Sequence, residues 1–269
     1  MSGKVITVLS TKGGVGKSTL TRFLSIVANE QNKKVCIIDT CQNSSIATGF
    51  LKDRDSFNKT AYDWLTGDAK PSEVIQRYKD TNIYYIPSDE RIDDFEDWVS
   101  KKVPKLRQLE VIKVKVKPLL AMFDYVIIDT HPNENSDIVN YSIAASDFCL
   151  IPSEVDLDSK LAAIRCVEII DDYKSAGYSV DYGIAFNKVE FTKGKASAQM
   201  RTMKDEMIQK GVGADKFLGD IRYSTTVSTS KNEGLLLSEL ENKYTKNIME
   251  DFRIVANNAF KRMESEVTA

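Results

Sequence analysis

A glycine-rich loop flanked by lysines lies near the start of the chain, with the sequence KGGVGKST from Lys12 to Thr19. An apolar run precedes it at 5–9, and apolar side chains recur at helical spacing over 20–27. In this setting the glycines let successive backbone N–H groups point at phosphate oxygens, and the start of the helix adds positive potential. We expect Lys17 to bridge the β- and γ-phosphates and the Ser18 hydroxyl to bind Mg²⁺. The loop predicts a nucleoside triphosphate site.

The residue before the first glycine is also a lysine, Lys12, which an ordinary phosphate-binding loop does not require. The string KGGVGKST resembles the deviant Walker A motif of the ParA/MinD family of P-loop ATPases. The resemblance implies that ATP and Mg²⁺ bind here, and that Lys12 crosses a homodimer interface to touch the ATP of the other subunit. The residues implied to contact the nucleotide are Lys12, Gly13, Gly14, Val15, Gly16, Lys17, Ser18 and Thr19.

Two apolar runs end in an aspartate, VCII before Asp39 and YVII before Asp129. A carboxylate at the end of a strand beside the loop can hold Mg²⁺, directly or through water. The first run is similar to the second phosphate-side strand of the family, and the second run is similar to its Walker B strand. The resemblance therefore implies a metal site made of Ser18, Asp39 and Asp129. The implied catalytic residues are Lys12, Lys17, Asp39 and Asp129.

The family pattern has a second aspartate two residues after the first, but this chain has Cys41 there, followed by Gln42 and Asn43. A thiol is a poor substitute because it hydrogen-bonds weakly and, with an ordinary pKa of about 8.5, forms little thiolate at pH 7. Two interpretations stay open. Hydrolysis is slow and depends on Asp39, Gln42 or a partner, or the protein is a nucleotide-gated switch that barely hydrolyses ATP. We expect slow hydrolysis, because an amide can also orient water.

Two further predictions concern single polar residues near the site. The run IAFNK is similar to the family strand whose terminal asparagine hydrogen-bonds adenine, which assigns that contact to Asn187. An amide suits it because it offers both a donor and an acceptor. His131, the only histidine of the chain, stands after Asp129 where the family has proline, so we expect it to fill the loop and not to act as a base.

Short apolar runs alternate with helical patterns along the whole chain, for example at 148–151 and 182–186. This alternation predicts an α/β fold, a doubly wound, mostly parallel twisted sheet with helices on both faces. No linker divides the chain, so we expect one P-loop ATPase domain over 1–269, without an N-terminal helix-turn-helix domain. The segment from Asp53 to Met122 is ambiguous. Residues 113–117 alternate as in a strand, but their surroundings favour a helix, which we predict.

The chain has 37 basic and 39 acidic residues and a net charge of −2, so any nucleic-acid surface must be a local patch. Residues 188–231 form such a patch, with nine Lys or Arg against five Asp or Glu. Together with the family resemblance, this excess predicts binding to nonspecific DNA. The candidate DNA-binding residues are Arg222, Lys231, Lys243 and Lys246.

The resemblance implies a switch for the partition of plasmid or chromosome DNA. ATP closes a homodimer that binds nonspecific DNA, and a centromere-binding, ParB-type partner stimulates slow hydrolysis and release. The sequence shows no signal-peptide pattern, so we expect a cytoplasmic protein that is nucleoid-associated when ATP is bound.

Two alternatives remain. The first is an ATP-binding dimeric scaffold with little or no hydrolysis, which the thiol of Cys41 favours. The second is a MinD-like membrane positioning ATPase, but residues 260–269 are acidic and poor in large apolar anchors, so we expect no membrane binding. Iron–sulfur relatives are disfavoured because the four cysteines show no C-x-x-C spacing.

Overall fold

The computed structural model describes residues 3–50, 57–133, 136–192, 195–234, 237–240 and 245–265. Eight strands within these residues form one sheet in the order β10–β7–β6–β1–β5–β2–β4–β3, and β8 and β9 form a separate antiparallel pair. The strands are β1 (Lys4–Val8), β2 (Val35–Asp39), β3 (Gln76–Arg77), β4 (Ile83–Ile86), β5 (Tyr125–Asp129), β6 (Phe148–Ser153), β7 (Asp181–Val189), β8 (Phe191–Thr192), β9 (Lys195–Ala196) and β10 (Phe217–Arg222).

All strand pairs of the large sheet are parallel except β3 with β4, so helices must connect the strands across its faces. The helices are α1 (Lys17–Glu30), α2 (Ser45–Phe50), α3 (Ala61–Thr66), α4 (Pro71–Val74), α5 (Phe95–Lys102), α6 (Val111–Val116), α7 (Asp137–Ala145), α8 (Leu157–Ser175), α9 (Ala198–Gln209), α10 (Thr225–Glu233) and α11 (Thr245–Ser265). In the part of the chain that the structure describes, none of them is long and apolar enough to span a bilayer.

The central strands are buried on both faces, which explains their uninterrupted apolar sequences. In β5 the alternate residues Val126 and Ile128 join one hydrophobic core, while Tyr125 and Ile127 join the other. Each core lies between the sheet and a layer of helices. The doubly wound α/β fold predicted from the sequence is therefore confirmed.

The ambiguous segment at 113–117 is helical, as predicted. It belongs to α6, which ends at Val116, and a short 3₁₀ helix follows over Lys117–Ala121. Pro118 stands in the first turn of the 3₁₀ helix, where its missing N–H costs no hydrogen bond. Proline therefore marks the change between the two helices.

The register of the sheet brings the two predicted metal-binding aspartates together. β2 pairs with β5 so that Asp39 lies opposite Asp129, and β1 pairs with β5 so that Val8 lies opposite Asp129. The loop that follows β1 therefore leaves the sheet beside both carboxylates. Parallel strands whose carboxyl ends meet at one edge thus bring the two carboxylates and the loop together.

The helix that begins at the glycine-rich loop packs against the last described helix of the chain. The ring of Phe23 in α1 stacks on that of Phe252 in α11, with centroids 3.7 Å apart and planes 8° from parallel. Both side chains are buried. Residues more than 200 positions apart thus share one core.

Replacement of Phe252 with Ala should lower the free energy of unfolding by about 3–5 kcal/mol, because it removes a buried ring and leaves a cavity. Ile254 on the same helix is 46% exposed, so Ile254→Ala is the matched control and should cost less than about 1 kcal/mol. Urea unfolding followed by circular dichroism measures both. If Phe252→Ala split the transition in two, with the larger part unchanged, α11 would not belong to the same cooperative unit as α1.

Candidate functional site

The glycine-rich loop of Lys12 to Thr19 wraps the start of α1. Gly14 and Gly16 have φ angles of 79° and 101°, in the left-handed region that side chains disfavour. A Cβ atom on Gly16 would also lie 2.2 Å from the amide nitrogen of Asn187, so only glycine fits there. Gly13 and Gly14 are exposed, whereas Val15 is buried. The loop has the left-handed glycine turns and the open outer face of a phosphate cradle.

Lys17 lies inside this cradle. Its side chain is 7% exposed, and its Nζ lies 3.4 Å from the carbonyl oxygens of both Ser10 and Lys12. Burial lowers the pKa of its ammonium, although the nearby Asp129 carboxylate acts in the opposite direction. A phosphate in the cradle would supply the negative charge that this buried lysine favours.

The two aspartates are fully buried and lie side by side. Oδ1 of Asp39 accepts from the backbone N–H of Cys41 and Oδ2 from that of Ile46, each at 2.9 Å. Asp129 accepts hydrogen bonds from the hydroxyls of Thr21, at 3.0 Å, and Ser18. Burial, with the repulsion of Asp129, raises the pKa of Asp39 to about 7, and burial raises that of Asp129 to about 6. Because the two buried carboxylates repel each other when both are charged, a cation beside Asp39 and Asp129 would be favoured.

Cys41 lies against this pair. Its Sγ is 3.8 Å from the carbonyl oxygen of Asp129 and 4.0 Å from Oδ2 of the same residue. Ligand atoms of Asp39, Cys41 and Asp129 all lie within 4.8 Å of one another. Burial and then the two carboxylates raise the pKa of the thiol well above its ordinary value, so it is neutral. Mg²⁺ prefers oxygen ligands, which the two aspartates and Ser18 offer and a neutral thiol does not.

Lys12 does not reach into the cradle of its own chain. Its Nζ lies 2.8 Å from Oδ1 of Asp156 and 2.9 Å from Oγ of Ser159, at the start of α8. Asp156 also caps that helix by accepting from the backbone N–H of Ser159. Burial acts to raise the pKa of Asp156, but the hydrogen bonds from Lys12 and Ser159 outweigh it and lower the pKa to about 2. The two lysines of the loop thus have different partners.

An exposed apolar pair lies at the start of α8, the helix that Lys12 contacts. Leu157 and Leu161, one helical turn apart at the start of α8, are 61% and 55% exposed. Two exposed leucines one turn apart form a small apolar patch that a partner can cover. We call this pair, together with the start of α8 that Lys12 contacts, the α8 face.

Asn187 and its neighbour Lys188 contact the loop directly. Nδ2 of Asn187 donates to the carbonyl oxygen of Val15 at 2.8 Å. Nζ of Lys188 donates to the carbonyl oxygen of Gly14 at 2.9 Å and to Glu154 at 2.6 Å. Asn187 was predicted from the sequence as an adenine ligand. One of its amide hydrogens instead serves the loop, which leaves its Oδ1 and second hydrogen for a base.

Sequence reasoning missed four residues around the loop: Glu154, Asp156, Ser159 and Lys188. Asp156 and Ser159 have the spacing of a helix cap followed by its third residue, a signal that could have located the start of α8. Lys188 has no such signal. Its role depends on a φ angle of 54°, which a lysine rarely adopts.

His131 and Gln42 line a cavity of about 290 Å³ beside the aspartates. Gln42 is exposed. Nδ1 of His131 is buried, without a hydrogen-bond partner among the described residues. The lining is completed by Thr40, Ile92, Asp93, Glu96, Asn133 and Ile138.

The predicted DNA-binding residues have different surroundings. Arg222 forms a two-point ion pair with Asp251, with Nε–Oδ2 at 2.5 Å and Nη2–Oδ1 at 2.8 Å. Its charge is therefore already compensated. Lys231 on α10 and Lys246 on α11 are exposed, and Lys243 lies outside the described residues. Lys231 and Lys246 are the described candidates that keep an accessible ammonium.

Known proteins resemble this chain over most of its length. The carboxysome distribution maintenance protein A of Gloeothece citriformis is 27% identical over 243 residues, which cover 88% of this chain and 90% of the relative. A solved ATP complex of the Cyanothece protein McdA shares the fold with a TM-score of 0.83, at 23% identity and 96% coverage of both chains. A plasmid partition protein of Borrelia burgdorferi has a TM-score of 0.70, at 21% identity, covering 97% of this chain and all of that one.

The family model described as AAA domain matches residues 3–175, which is more than half of the chain. The matched part contains the glycine-rich loop, both aspartates and the start of α8. The family match agrees with the deviant Walker A sequence of the loop and with the parallel sheet described above. The chain belongs to the ParA/MinD family of P-loop ATPases.

Proposed function

We propose that this chain is an ATP-dependent dimerising switch for the partition of plasmid or chromosome DNA. In this proposal the ATP-bound homodimer binds nonspecific DNA, and a centromere-binding, ParB-type partner stimulates slow hydrolysis and release. The γ-phosphate thus biases a two-state equilibrium between monomer and dimer. The observation that carries the proposal is the position of Lys12, whose ammonium is bound at the start of α8 and not in its own cradle.

Different residues of the site bind the phosphates and the metal ion of the nucleotide. Backbone N–H groups and Lys17 bind the triphosphate, while Ser18, Asp39 and Asp129 would hold Mg²⁺. When bound, that ion supplies positive charge to the β- and γ-phosphates. Lys12 exchanges Asp156 for the ATP of the partner subunit. The exposed pair Leu157 and Leu161 is then covered by the second copy.

Slow hydrolysis follows from the surroundings of the thiol. Both oxygens of Asp39 already accept backbone hydrogen bonds, and Cys41 is a neutral, weak acceptor. The thiol therefore orients a water molecule weakly, and each Asp39 oxygen keeps one acceptor site for water or Mg²⁺. The intact cradle supports nucleotide binding. The weak orientation of the attacking water by Cys41 supports a low rate of hydrolysis and a need for stimulation by the partner.

The cargo has a second candidate. The Gloeothece relative, which aligns with 88% of this chain, maintains the distribution of carboxysomes. A protein assembly could therefore replace the centromere complex as cargo, with the ATP and DNA steps unchanged.

The α8 face gives the first prediction. Leu161→Asp should weaken ATP-dependent dimerisation at least about tenfold, because it loses apolar burial and places a charge in the interface. Val114→Asp is the matched control. Val114 is 66% exposed on α6, which lines a groove at the amino ends of the strands, far from ATP. Sedimentation velocity with Mg-ATP measures both. Equal dimerisation of the two variants would argue against the α8 face as the interface.

The thiol gives the second prediction. Cys41→Asp should raise ATP turnover at least about tenfold, a barrier change of about 1.4 kcal/mol, because a carboxylate orients water better than a thiol. Cys41→Ser, which stays neutral, should change turnover little, and Lys17→Ala should abolish it. Phosphate release under saturating ATP measures all three. No gain for Cys41→Asp would mean that Cys41 does not occupy the water-orienting position.

DNA binding gives the third prediction. Lys246→Glu should weaken ATP-dependent retention of nonspecific DNA and reduce the slope of log K against log salt by about 1. Lys261→Glu is the control, with the same charge change on the same helix about 22 Å away. Filter binding at several salt concentrations measures both. If the wild type retained no DNA in ATP at moderate salt, the DNA step would be wrong, whereas dimerisation and ATP turnover would stand.

A further inference from the structure

Two neighbouring residues at the end of β7 bind the same loop. In a strand, successive side chains point to opposite faces of the sheet. Lys188 has a φ angle of 54°, which breaks this alternation. The side chains of Asn187 and Lys188 can therefore both reach the glycine-rich loop, where they bind the successive carbonyl oxygens of Val15 and Gly14.

Holding these carbonyl oxygens also fixes the amide groups that follow them. A peptide unit is planar and trans, so its C=O and N–H bonds point in opposite directions. Lys188, by binding the carbonyl of Gly14, sets the direction of the N–H of Val15. Asn187 does the same for the N–H of Gly16. Backbone N–H groups of this kind are the ligands that such a loop presents to phosphate oxygens.

The position of Lys188 is itself maintained by other contacts. A left-handed conformation costs free energy in a residue with a Cβ atom, so its surroundings must compensate. Glu154, directly after β6, accepts from its ammonium at 2.6 Å. Since β6 and β7 are neighbours in the sheet, the carboxylate and the lysine start from adjacent strand ends. The ion pair leaves Nζ within hydrogen-bond distance of Gly14.

We propose that Lys188 is a positioning residue for ATP binding. It orients the N–H groups of the loop toward the triphosphate, and Glu154 holds its ammonium in place. The inference rests on nucleotide binding at the loop, which is part of the proposed function, and is independent of DNA and cargo. Lys188 acts on the triphosphate and not on the base, so its effect does not depend on which base the nucleotide carries.

The test compares Mg-ATP with inorganic triphosphate, which has no base. Lys188→Met should weaken the binding of both by the same factor, about tenfold, the effect of losing one hydrogen bond to a charged group. Lys188→Arg should restore most of the affinity, because it keeps a long cationic donor. Lys4→Met is the matched control. Lys4 is likewise a partly exposed lysine paired with a carboxylate, that of Asp147, but it lies at the amino end of β1. Isothermal titration calorimetry measures all four proteins.

Lys188→Gly separates positioning from folding. Glycine relieves the left-handed strain but removes the ammonium, so triphosphate affinity should fall about tenfold while the midpoint of thermal unfolding does not fall. Three results would overturn the inference: unchanged affinity in Lys188→Met, a loss for ATP but not for triphosphate, or a lower unfolding midpoint for Lys188→Gly. A wild type that bound neither ligand would instead contradict the nucleotide site itself.

Discussion

The structure depends on three charged groups buried at one edge of the sheet. Lys17, Asp39 and Asp129 are together almost inaccessible to solvent. Burial lowers the pKa of the lysine and raises the pKa of both aspartates, so it favours the neutral form of each group. Such an arrangement is stable only when charges are paired and hydrogen-bonded. A triphosphate with Mg²⁺ brings one negative group to the lysine and one positive group to the aspartates. In the proposed function, the site therefore takes the two ligands together and not either one alone.

The other lysine of the loop, Lys12, is in the opposite situation because it is accessible to solvent. Lys12 is partly exposed, and its partner Asp156 is exposed further, so the ion pair between them is screened by water and exchangeable. Lys17 has no comparable freedom. One short sequence thus carries a buried, fixed lysine and an exchangeable one at the start of α8. This difference in burial is the physical basis for linking ATP binding to dimerisation in our proposal.

Much of this arrangement was predictable from sequence because it is local or periodic. The phosphate loop and the buried strands follow from residue spacing, while the helix around Lys113 follows from its surroundings and against the strand-like alternation of 113–117. The pairing of Asp39 with Asp129 follows from parallel strands that end at one edge. The family resemblance placed Cys41 near these carboxylates, where the structure also has its thiol.

The remainder was not predictable because it joins residues far apart in the chain. Lys12 meets Asp156 across 144 positions, and Lys188 meets Gly14 across 174. No local pattern encodes such pairs, and the left-handed backbone of Lys188 runs against the preference of lysine. The ion pair of Arg222 with Asp251 was missed for the same reason, although it removes Arg222 from the accessible basic surface.

The central claim is that Lys12 serves the partner's nucleotide and Lys17 its own. It is tested most directly by measuring ATP affinity and dimer formation in Lys12→Ala. The account predicts that the variant binds Mg-ATP as a monomer, with an affinity within about threefold of the affinity of monomeric wild type, because its own cradle is intact. It also predicts that ATP no longer produces a dimer in sedimentation velocity. Loss of ATP binding as complete as in Lys17→Ala, or dimerisation equal to that of the wild type, would contradict the account.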